Sequence, residues 1–324
     1  MELRFFLFLF PLKKLYNSLL LLNKMVDKIE VTMLGSGSSV PTAKRNHPGI
    51  LLDYKAEHML FDCGEGIQRQ FRKAKKNPCK LTRLFISHWH GDHILGIPGL
   101  LQTLYLNDYG KTLEIYGPRG TKKYMEQLLK LFVYKSRIEF KIHEVSSGKI
   151  VDEKDFYVEA QSMDHGTPSV AYSFVVKDKL RIDKKKFSKL KINGGPKIAK
   201  LVAGKDVVID GKKVKYKDVT YLQEGKKIAF VFDTEDNANI VKIARDADLF
   251  FCESSYLDEK ELAKDHKHMT VSQVASNAKK AGVDKLVLFH LSQRYEFREK
   301  DFLKIARKKI KDVVVGEDLM RFEV

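Results

Sequence analysis

The chain has 324 residues, of which 44% are hydrophobic and 31% charged, and these proportions exclude a largely disordered protein. Lys and Arg number 59 against 42 Asp and Glu, and the resulting net charge of +17 favours a polyanionic partner, although a Lys-rich proteome would give the same excess. The three cysteines form no Cys-x-x-Cys pair, which argues against a disulfide framework or a cysteine-based zinc site and favours a reducing cytoplasm.

The first 23 residues resemble a secretory signal, with a charged start and an apolar run from Phe5 to Leu12. Pro11 and the pair Lys13–Lys14 interrupt that run, no small-residue cleavage site follows, and the run is too short to span a bilayer. Met25 then precedes a clear strand pattern. We therefore expect residues 1–24 to be an upstream extension outside the fold, with translation starting at Met25 rather than Met1.

From residue 25 to residue 324, short apolar strands alternate with amphipathic helices, which predicts one α/β domain of packed sheets with helices outside. The predicted strands are Ile29–Leu34, Gly49–Asp53, Met59–Asp62, Arg83–Ser87, Leu113–Tyr116, Phe156–Met163, Val170–Val176, Lys227–Phe232, Leu249–Cys252 and Lys285–Phe289. The predicted helices are Glu65–Ala74, Ile94–Tyr105, Arg119–Leu131, Asn237–Arg245, Ser272–Ala281 and Lys300–Lys309.

One segment, residues 177–205, departs from this pattern. It carries eleven Lys or Arg and only two acidic residues, Asp178 and Asp183, around an Asn-Gly-Gly-Pro turn at residues 193–196. A run of this kind is usually a solvated surface insertion with little core of its own. The functional alternative is a basic arm that binds nucleic-acid phosphates.

The strongest chemical signal is the sequence His88-Trp89-His90-Gly91-Asp92-His93, which follows a predicted strand. Three imidazoles and a carboxylate within six residues are difficult to explain by packing, because buried together they would need many hydrogen-bond partners. Histidine is the most frequent metal ligand, and a turn can direct alternate residues toward two ions. The motif therefore predicts a metal site.

This motif resembles the signature of the metallo-β-lactamase superfamily, and further segments resemble the ribonuclease Z family within it. That resemblance implies a four-layer αββα sandwich with metals at one edge of two sheets, and it places the basic segment where the family has its tRNA-binding arm. The further similar segments are Val31–Thr42, Lys44-Arg45-Asn46, Leu60–Gly66, Asp164–Tyr172, Phe232-Asp233-Thr234, His268-Met269-Thr270 and Phe289–Tyr295.

The resemblance also implies roles for individual residues. His88, His90 and His165 would hold one Zn²⁺, Asp92, His93 and His290 a second, and Asp233 would bridge the two; Mn²⁺ is an alternative metal. Asp92 would also orient and deprotonate the attacking water, and His268 would protonate the leaving oxygen. Asp62 and Glu65 would orient the metal ligands without binding the metals themselves. The candidate substrate contacts are Lys44, Arg45, Arg294, Lys184, Lys185, Lys186, Gly195 and Pro196.

Several of these residues have ordinary readings when taken alone. His165 could be a loop histidine, His290 a structural one, Asp233 the N-cap of the following helix, and Thr270 the cap of the helix from Ser272. The remaining histidines at positions 47, 58, 143 and 266 match no motif and are expected to be structural or at the surface.

Three functions remain open from the sequence. The favoured one is a zinc-dependent endoribonuclease that removes the 3′ trailer from precursor tRNA in the cytoplasm, without a membrane anchor. The family resemblance alone implies that it acts as a homodimer. The second is a small-molecule phosphodiesterase or other hydrolase on the same fold, which would not need the basic segment. The third is a catalytically silent nucleic-acid-binding module, which would be expected to have lost some of the ligands.

Overall fold

The computed structural model describes residues 28–131, 138–191 and 195–324. The expected extension 1–24, the start at Met25, and Asn193 and Gly194 of the basic turn lie outside these ranges. Among the described residues, no helix is long and apolar enough to cross a membrane.

The described residues form eighteen strands and eleven α-helices. The strands are β1 (Ile29–Gly35), β2 (Gly49–Tyr54), β3 (Glu57–Phe61), β4 (Arg83–Phe85), β5 (Leu113–Gly117), β6 (Phe140–Glu144), β7 (Gly148–Asp152), β8 (Phe156–Asp164), β9 (Pro168–Val176), β10 (Lys179–Ile182), β11 (Val207–Ile209), β12 (Lys212–Val214), β13 (Thr220–Gln223), β14 (Lys227–Val231), β15 (Leu249–Glu253), β16 (Lys285–Phe289), β17 (Val313–Val315) and β18 (Arg321–Glu323). The helices are α1 (Ile67–Lys73), α2 (Gly91–Ile94), α3 (Ile97–Leu106), α4 (Thr121–Lys130), α5 (Lys184–Lys189), α6 (Lys197–Val202), α7 (Tyr216–Val219), α8 (Ala238–Ala244), α9 (Lys260–Asp265), α10 (Val271–Ala281) and α11 (Glu299–Ala306).

Two seven-stranded sheets pack face to face, with strand orders β18-β1-β2-β3-β4-β5-β6 and β17-β16-β15-β14-β9-β8-β7. Aromatic side chains fill the space between them: the ring of Phe61 stacks on Phe85 at 4.8 Å and on Phe230 at 4.1 Å. Helices α1, α3 and α4 cover the outer face of the first sheet, and α8, α10 and α11 cover the second. The predicted four-layer αββα sandwich is confirmed.

Each predicted strand overlaps an observed one, and eight short strands were missed: β6, β7, β10, β11, β12, β13, β17 and β18. The predicted helix Ile94–Tyr105 is divided in the structure, because the chain bends at Gly96 between α2 and α3. A Cβ atom at Gly96 would lie 2.0 Å from the backbone oxygen of Gly64, so the chain passes too close there for any side chain. This close approach holds the histidine-rich turn against the loop that follows β3.

The basic segment belongs to a longer insertion, residues 177–226, between β9 and β14, which are antiparallel neighbours in the second sheet. The residues after 205 complete it with the hairpin β11–β12 and the helix α7. The insertion therefore has a small core of its own, which the charge-rich sequence of 177–205 did not suggest. That core consists of Leu201, Val207, Ile209, Val214 and Val219, with Ile182, Phe187, Leu190 and Tyr216 packed against it.

The insertion leaves the sandwich at the edge opposite the predicted ligands. Strand β9 begins three residues after His165 and runs away from it for nine residues, a length of about 26 Å, before the insertion starts at Lys177. At that far edge, Lys179 Nζ lies 3.3 Å from Asp155 Oδ1 in the β7–β8 turn. The root of the insertion is thus fixed to the body of the sandwich.

Candidate metal centre

The predicted ligands come from loops that follow strands of both sheets. His88 lies three residues after β4, His165 directly after β8, Asp233 two residues after β14, and His290 directly after β16. Because β8, β14 and β16 run in the same direction, their carboxyl ends meet at one edge of the second sheet, facing the loop after β4. Residues separated by up to about 200 positions are thereby brought together.

The first cluster consists of His88, His90, His165 and Asp233, whose candidate ligand atoms all lie within 4.8 Å of one another. His165 Nε2 is 3.2 Å from His90 Nδ1. Asp233 Oδ2 is 3.6 Å from His165 Nε2 and 3.8 Å from His88 Nε2. This spacing suits three nitrogen ligands and one carboxylate around a single ion.

The second cluster consists of Asp92, His93, Asp233 and His290, again within 4.8 Å. His93 Nε2 lies 3.3 Å from Asp92 Oδ2 and 3.3 Å from Asp233 Oδ2. The other oxygen of Asp233, Oδ1, is 3.1 Å from His290 Nε2. Asp233 therefore belongs to both clusters.

Hydrogen bonds from outside the clusters orient the imidazoles. The Nδ1 atom of His93 is 2.6 Å from Asp62 Oδ2, and that of His165 is 2.8 Å from the backbone oxygen of Lys267. The Nδ1 atoms of His88 and His290 lie 2.9 Å and 3.0 Å from the hydroxyls of Ser87 and Ser255. These partners leave Nε2 of each ring for the centre of the site, as is usual for metal-ligating histidines.

The buried polar atoms at the centre indicate a cation. His88 Nε2 and His93 Nε2 are buried without a hydrogen-bond partner in the described part of the chain. Such atoms cost free energy unless they are satisfied, and a divalent ion in each cluster would satisfy them. Burial and the neighbouring His93 lower the pKa of His88 well below its ordinary value, so its ring is the neutral form that ligates metal. The residues present therefore fit a divalent metal centre.

His268 lies beside the clusters and is paired with a residue that the sequence did not single out. Its Nδ1 atom is 3.1 Å from Glu253 Oε1, and Glu253 is fully buried. Burial acts to lower the pKa of His268, but the carboxylates of Glu253 and Asp233 raise it to about 9. Glu253, His268 and His290 are also spaced as metal ligands, but Glu253 already accepts hydrogen bonds from Ser255 and the backbone of Met269, so it belongs to a hydrogen-bond network.

The clusters open into a pocket of roughly 420 Å³. Arg294, a predicted substrate contact, lines it, with its guanidinium 5.8 Å from the centre of the Tyr256 ring. Tyr256 and His266 also line the pocket and were not assigned to the site from the sequence, because neither lies in a recognisable motif. The pocket is lined by Ser38, Ser39, Val40, His90, Asp92, His165, Asp233, Ser255, Tyr256, His266, His268, His290, Ser292, Gln293 and Arg294.

The other predicted contacts differ in position. Lys44 is exposed, four residues after Val40, which lines the pocket. Arg45 is only 7% exposed, and its guanidinium contacts the backbone oxygen of Gly316 at 2.6 Å and Glu299 at 3.2 Å. The contacts of Arg45 in the structure are thus internal, and its contact with phosphate stays a prediction. Glu65 is exposed and contributes its backbone oxygen to Asn46. Lys184, Lys185, Lys186, Gly195 and Pro196 are exposed on the insertion, away from this edge of the sandwich.

The sandwich with two clusters sharing Asp233 defines a hydrolase of the metallo-β-lactamase fold with a divalent-metal centre. The chain is 38% identical over 299 residues to the ribonuclease Z of Methanosarcina mazei, covering 91% of this chain and 98% of that protein. It is 37% identical over 290 residues to the ribonuclease Z of Nanoarchaeum equitans, covering 89% and 91%. The chain belongs to the ribonuclease Z family.

A structure comparison agrees with this fold, and a family model matches part of the chain. The structure of the short form of human tRNase Z matches with a TM-score of 0.66 and 26% identity, covering 90% of this chain and 98% of that one. The sequence model of a family described as anti-Pycsar protein Apyc1 matches residues 29–189, which include the histidine-rich turn and end inside the insertion.

Proposed function

We propose that this ribonuclease Z family member is a zinc-dependent endoribonuclease that removes the 3′ trailer from precursor tRNA by hydrolysis of one phosphodiester. It would leave a 3′ hydroxyl on the tRNA and a 5′ phosphate on the trailer. The observation that carries the proposal is the pair of ligand clusters joined through Asp233. A small-molecule hydrolase would use the same clusters but leaves the basic insertion without a purpose.

Two Zn²⁺ ions per chain fit the clusters best, with His88, His90 and His165 at one ion, Asp92, His93 and His290 at the other, and Asp233 between them. Nitrogen-rich sets with carboxylates suit Zn²⁺, and Mn²⁺ is the alternative for the same donors. When bound, such a pair lowers the pKa of a water toward neutrality and stabilises the charge on a phosphodiester.

The chain's own groups supply proton transfer at both ends of the reaction. Burial acts to raise the pKa of Asp92, but His93 and a hydrogen bond from His290 lower it well below its usual range, so the group is a carboxylate, which would accept a hydrogen bond from the attacking water. With a pKa of about 9, His268 is protonated at neutral pH and would donate its proton to the leaving 3′ oxygen.

The insertion supplies electrostatic affinity for the body of the tRNA. It contains sixteen Lys or Arg and six Asp or Glu, so it accounts for 10 of the 17 net positive charges of the chain. Neutralising phosphates with such a surface releases condensed counterions and strengthens binding. The proposed contacts are Lys184, Lys185, Lys186, Gly195 and Pro196.

The position of the insertion favours a homodimer. Its root lies at the edge of the sandwich opposite the metal centre, about one nine-residue strand away. Closed two-fold dimers are the most frequent assembly of soluble proteins, and in such a dimer the insertion of one subunit could lie beside the metal centre of the other. We propose this arrangement, in a cytoplasmic enzyme.

Cleavage-site mapping tests the function directly. Incubation of a labelled precursor tRNA with the purified, metal-loaded chain should give one cut at the 3′ end of the mature tRNA, with a 3′ hydroxyl and a 5′ phosphate as new ends. Asp92→Ala should abolish the cut, and Asp258→Ala, a change at an exposed carboxylate outside both clusters, should not. Products ending in a cyclic phosphate, or no cut by the wild type, would contradict the proposal.

A further inference from the structure

Phe297 is 70% exposed, more than any other Phe, Tyr or Trp among the described residues. Its backbone is also left-handed, with φ at +68°. Bulky residues rarely adopt this conformation, and holding one there costs stability that glycine or asparagine would not cost. Because exposure and a left-handed backbone both disfavour phenylalanine here, we expect the Phe297 ring to have a function other than packing.

The local turn explains why a left-handed residue is needed, but not why it is phenylalanine. A short 3₁₀ turn ends at Tyr295, and the backbone N–H of Arg298 donates to the Tyr295 oxygen at 2.9 Å just before α11 begins. Reversing the chain between these two elements places position 297 in the left-handed region. The ring then projects into solvent without joining any of the described hydrophobic clusters.

The Phe297 ring is connected to two segments that line the metal pocket. Gln293 and Arg294, which line that pocket, directly precede the turn, and Lys44 Nζ is 4.5 Å from the Phe297 ring centre. Lys44 belongs to the loop whose residues 38–40 line the same pocket. The ion pair between Arg45 and Glu299, at 3.2 Å, ties this loop to the start of α11. Arg45 thereby holds Lys44 and Phe297 together.

We infer that Phe297 is a stacking platform for one unpaired nucleobase of the precursor next to the cleaved bond. Lys44 would neutralise an adjacent phosphate. The inference rests on the proposed function. An exposed aromatic ring beside a cation is the combination that binds single-stranded nucleic acid, because every base offers a π-face and every linkage a negative charge. Lys44 covers one face of the ring, which leaves the opposite face for the base.

Substitutions at this position separate stacking from backbone strain. Phe297→Trp keeps a stacking surface and should keep the affinity for precursor tRNA. Phe297→Ala and Phe297→Asn remove it and should weaken binding by about 5- to 100-fold, the range for loss of one base–aromatic stack. The Asn variant relieves the left-handed strain, so its unfolding temperature should equal or exceed that of the wild type. Leu106→Ala, at a comparably exposed apolar residue on α3, should bind like the wild type.

Abasic substrates identify the base and complete the test. Precursors lacking a single base at successive positions around the cleavage site should each be assayed with the wild type and with Phe297→Ala. At one position, base removal and Phe297→Ala should weaken binding no more together than either does alone. Additive losses at every position, or equal binding by all Phe297 variants, would overturn the inference. Failure of the wild type to cut the intact precursor would instead refute the proposed function.

Discussion

Asp62 and His93, which are 31 residues apart in the chain, form a fully buried carboxylate–imidazole pair behind the metal clusters. Asp62 Oδ2 lies 2.6 Å from His93 Nδ1, and the same carboxylate accepts hydrogen bonds from the backbone and the hydroxyl of Ser87. One side chain thus fixes His93 directly and His88 through Ser87, whose hydroxyl is 2.9 Å from His88 Nδ1. Asp62 therefore orients a ligand in each cluster.

Replacing Asp62 by Asn should weaken metal binding about 10- to 100-fold, because the amide nitrogen cannot accept and the side chain therefore cannot keep all three hydrogen bonds that the carboxylate now accepts. Competition with a chromophoric chelator measures the change. Asp53→Asn is the matched control, since Asp53 Oδ1 forms a similar pair with His58 Nδ1 at 2.5 Å outside both clusters. Equal metal affinity in the two variants would show that Asp62 has no positioning role.

Metal uptake at neutral pH should release protons. Burial acts to lower the pKa of His93, but the carboxylates of Asp233, Asp92 and Asp62 raise it well above its ordinary value in the metal-free protein. A protonated His93 must lose its proton before it can ligate, so metal affinity should rise as the pH increases toward that raised pKa. Calorimetric titrations with Zn²⁺ in buffers of different ionisation enthalpy measure the release. A heat that is independent of the buffer would contradict this account.

Removing the insertion should abolish cleavage of precursor tRNA while hydrolysis of a small chromogenic phosphodiester continues. A short Gly-Ser turn can replace residues 178–225, because Val176 N already donates to Lys226 O at 2.8 Å and Val175 pairs with Lys227. The separate small core of the insertion allows its removal without opening the main one. If the shortened chain processed tRNA at the wild-type rate, the insertion would not be the RNA-binding arm.

Mixed subunits test the proposed homodimer. A chain without the insertion and a full-length Asp233→Ala chain should each fail to process tRNA, whereas an equal mixture that exchanges subunits should recover up to about a quarter of the wild-type activity. Half of the dimers would then be mixed, each with one working site served by its partner's insertion. The rate of precursor cleavage in the mixture, measured against each variant alone, reports the effect. If the mixture regained no cleavage activity although subunit exchange had been verified, the insertion of one subunit would not act at the metal centre of the other.

Local patterns predicted packed sheets with outer helices and a metal site at the histidine-rich turn, whereas the four-layer sandwich and the two ligand sets were implied by the family resemblance. Alternating strands and amphipathic helices specify the layers, and the histidine-rich turn carries four of the clustered residues within six positions. The structure also resolves two alternatives left open for single residues. Asn237, rather than Asp233, caps α8, because its side-chain oxygen accepts a hydrogen bond from the backbone N–H of Asn239 at 3.0 Å. Thr270 caps α10 and forms a capping box with Gln273.

What the sequence missed depends on contacts between distant residues. Glu253 ends an apolar strand in no motif, and its role follows only from the fold that brings it beside His268. The internal partners of Arg45 were also not foreseen, because Gly316 and Glu299, which contact its guanidinium, are more than 250 positions away. The core of the insertion was missed because its apolar residues are spread over short elements that pack only once the segment folds.

The most direct test of the account is a titration of the metal-free protein with Zn²⁺ in which bound metal and precursor cleavage are followed together. Because Asp233 links both clusters, activity should appear as the second ion binds, with a final content of two ions per chain. Full activity with one ion per chain, or in the metal-free protein, would contradict the account.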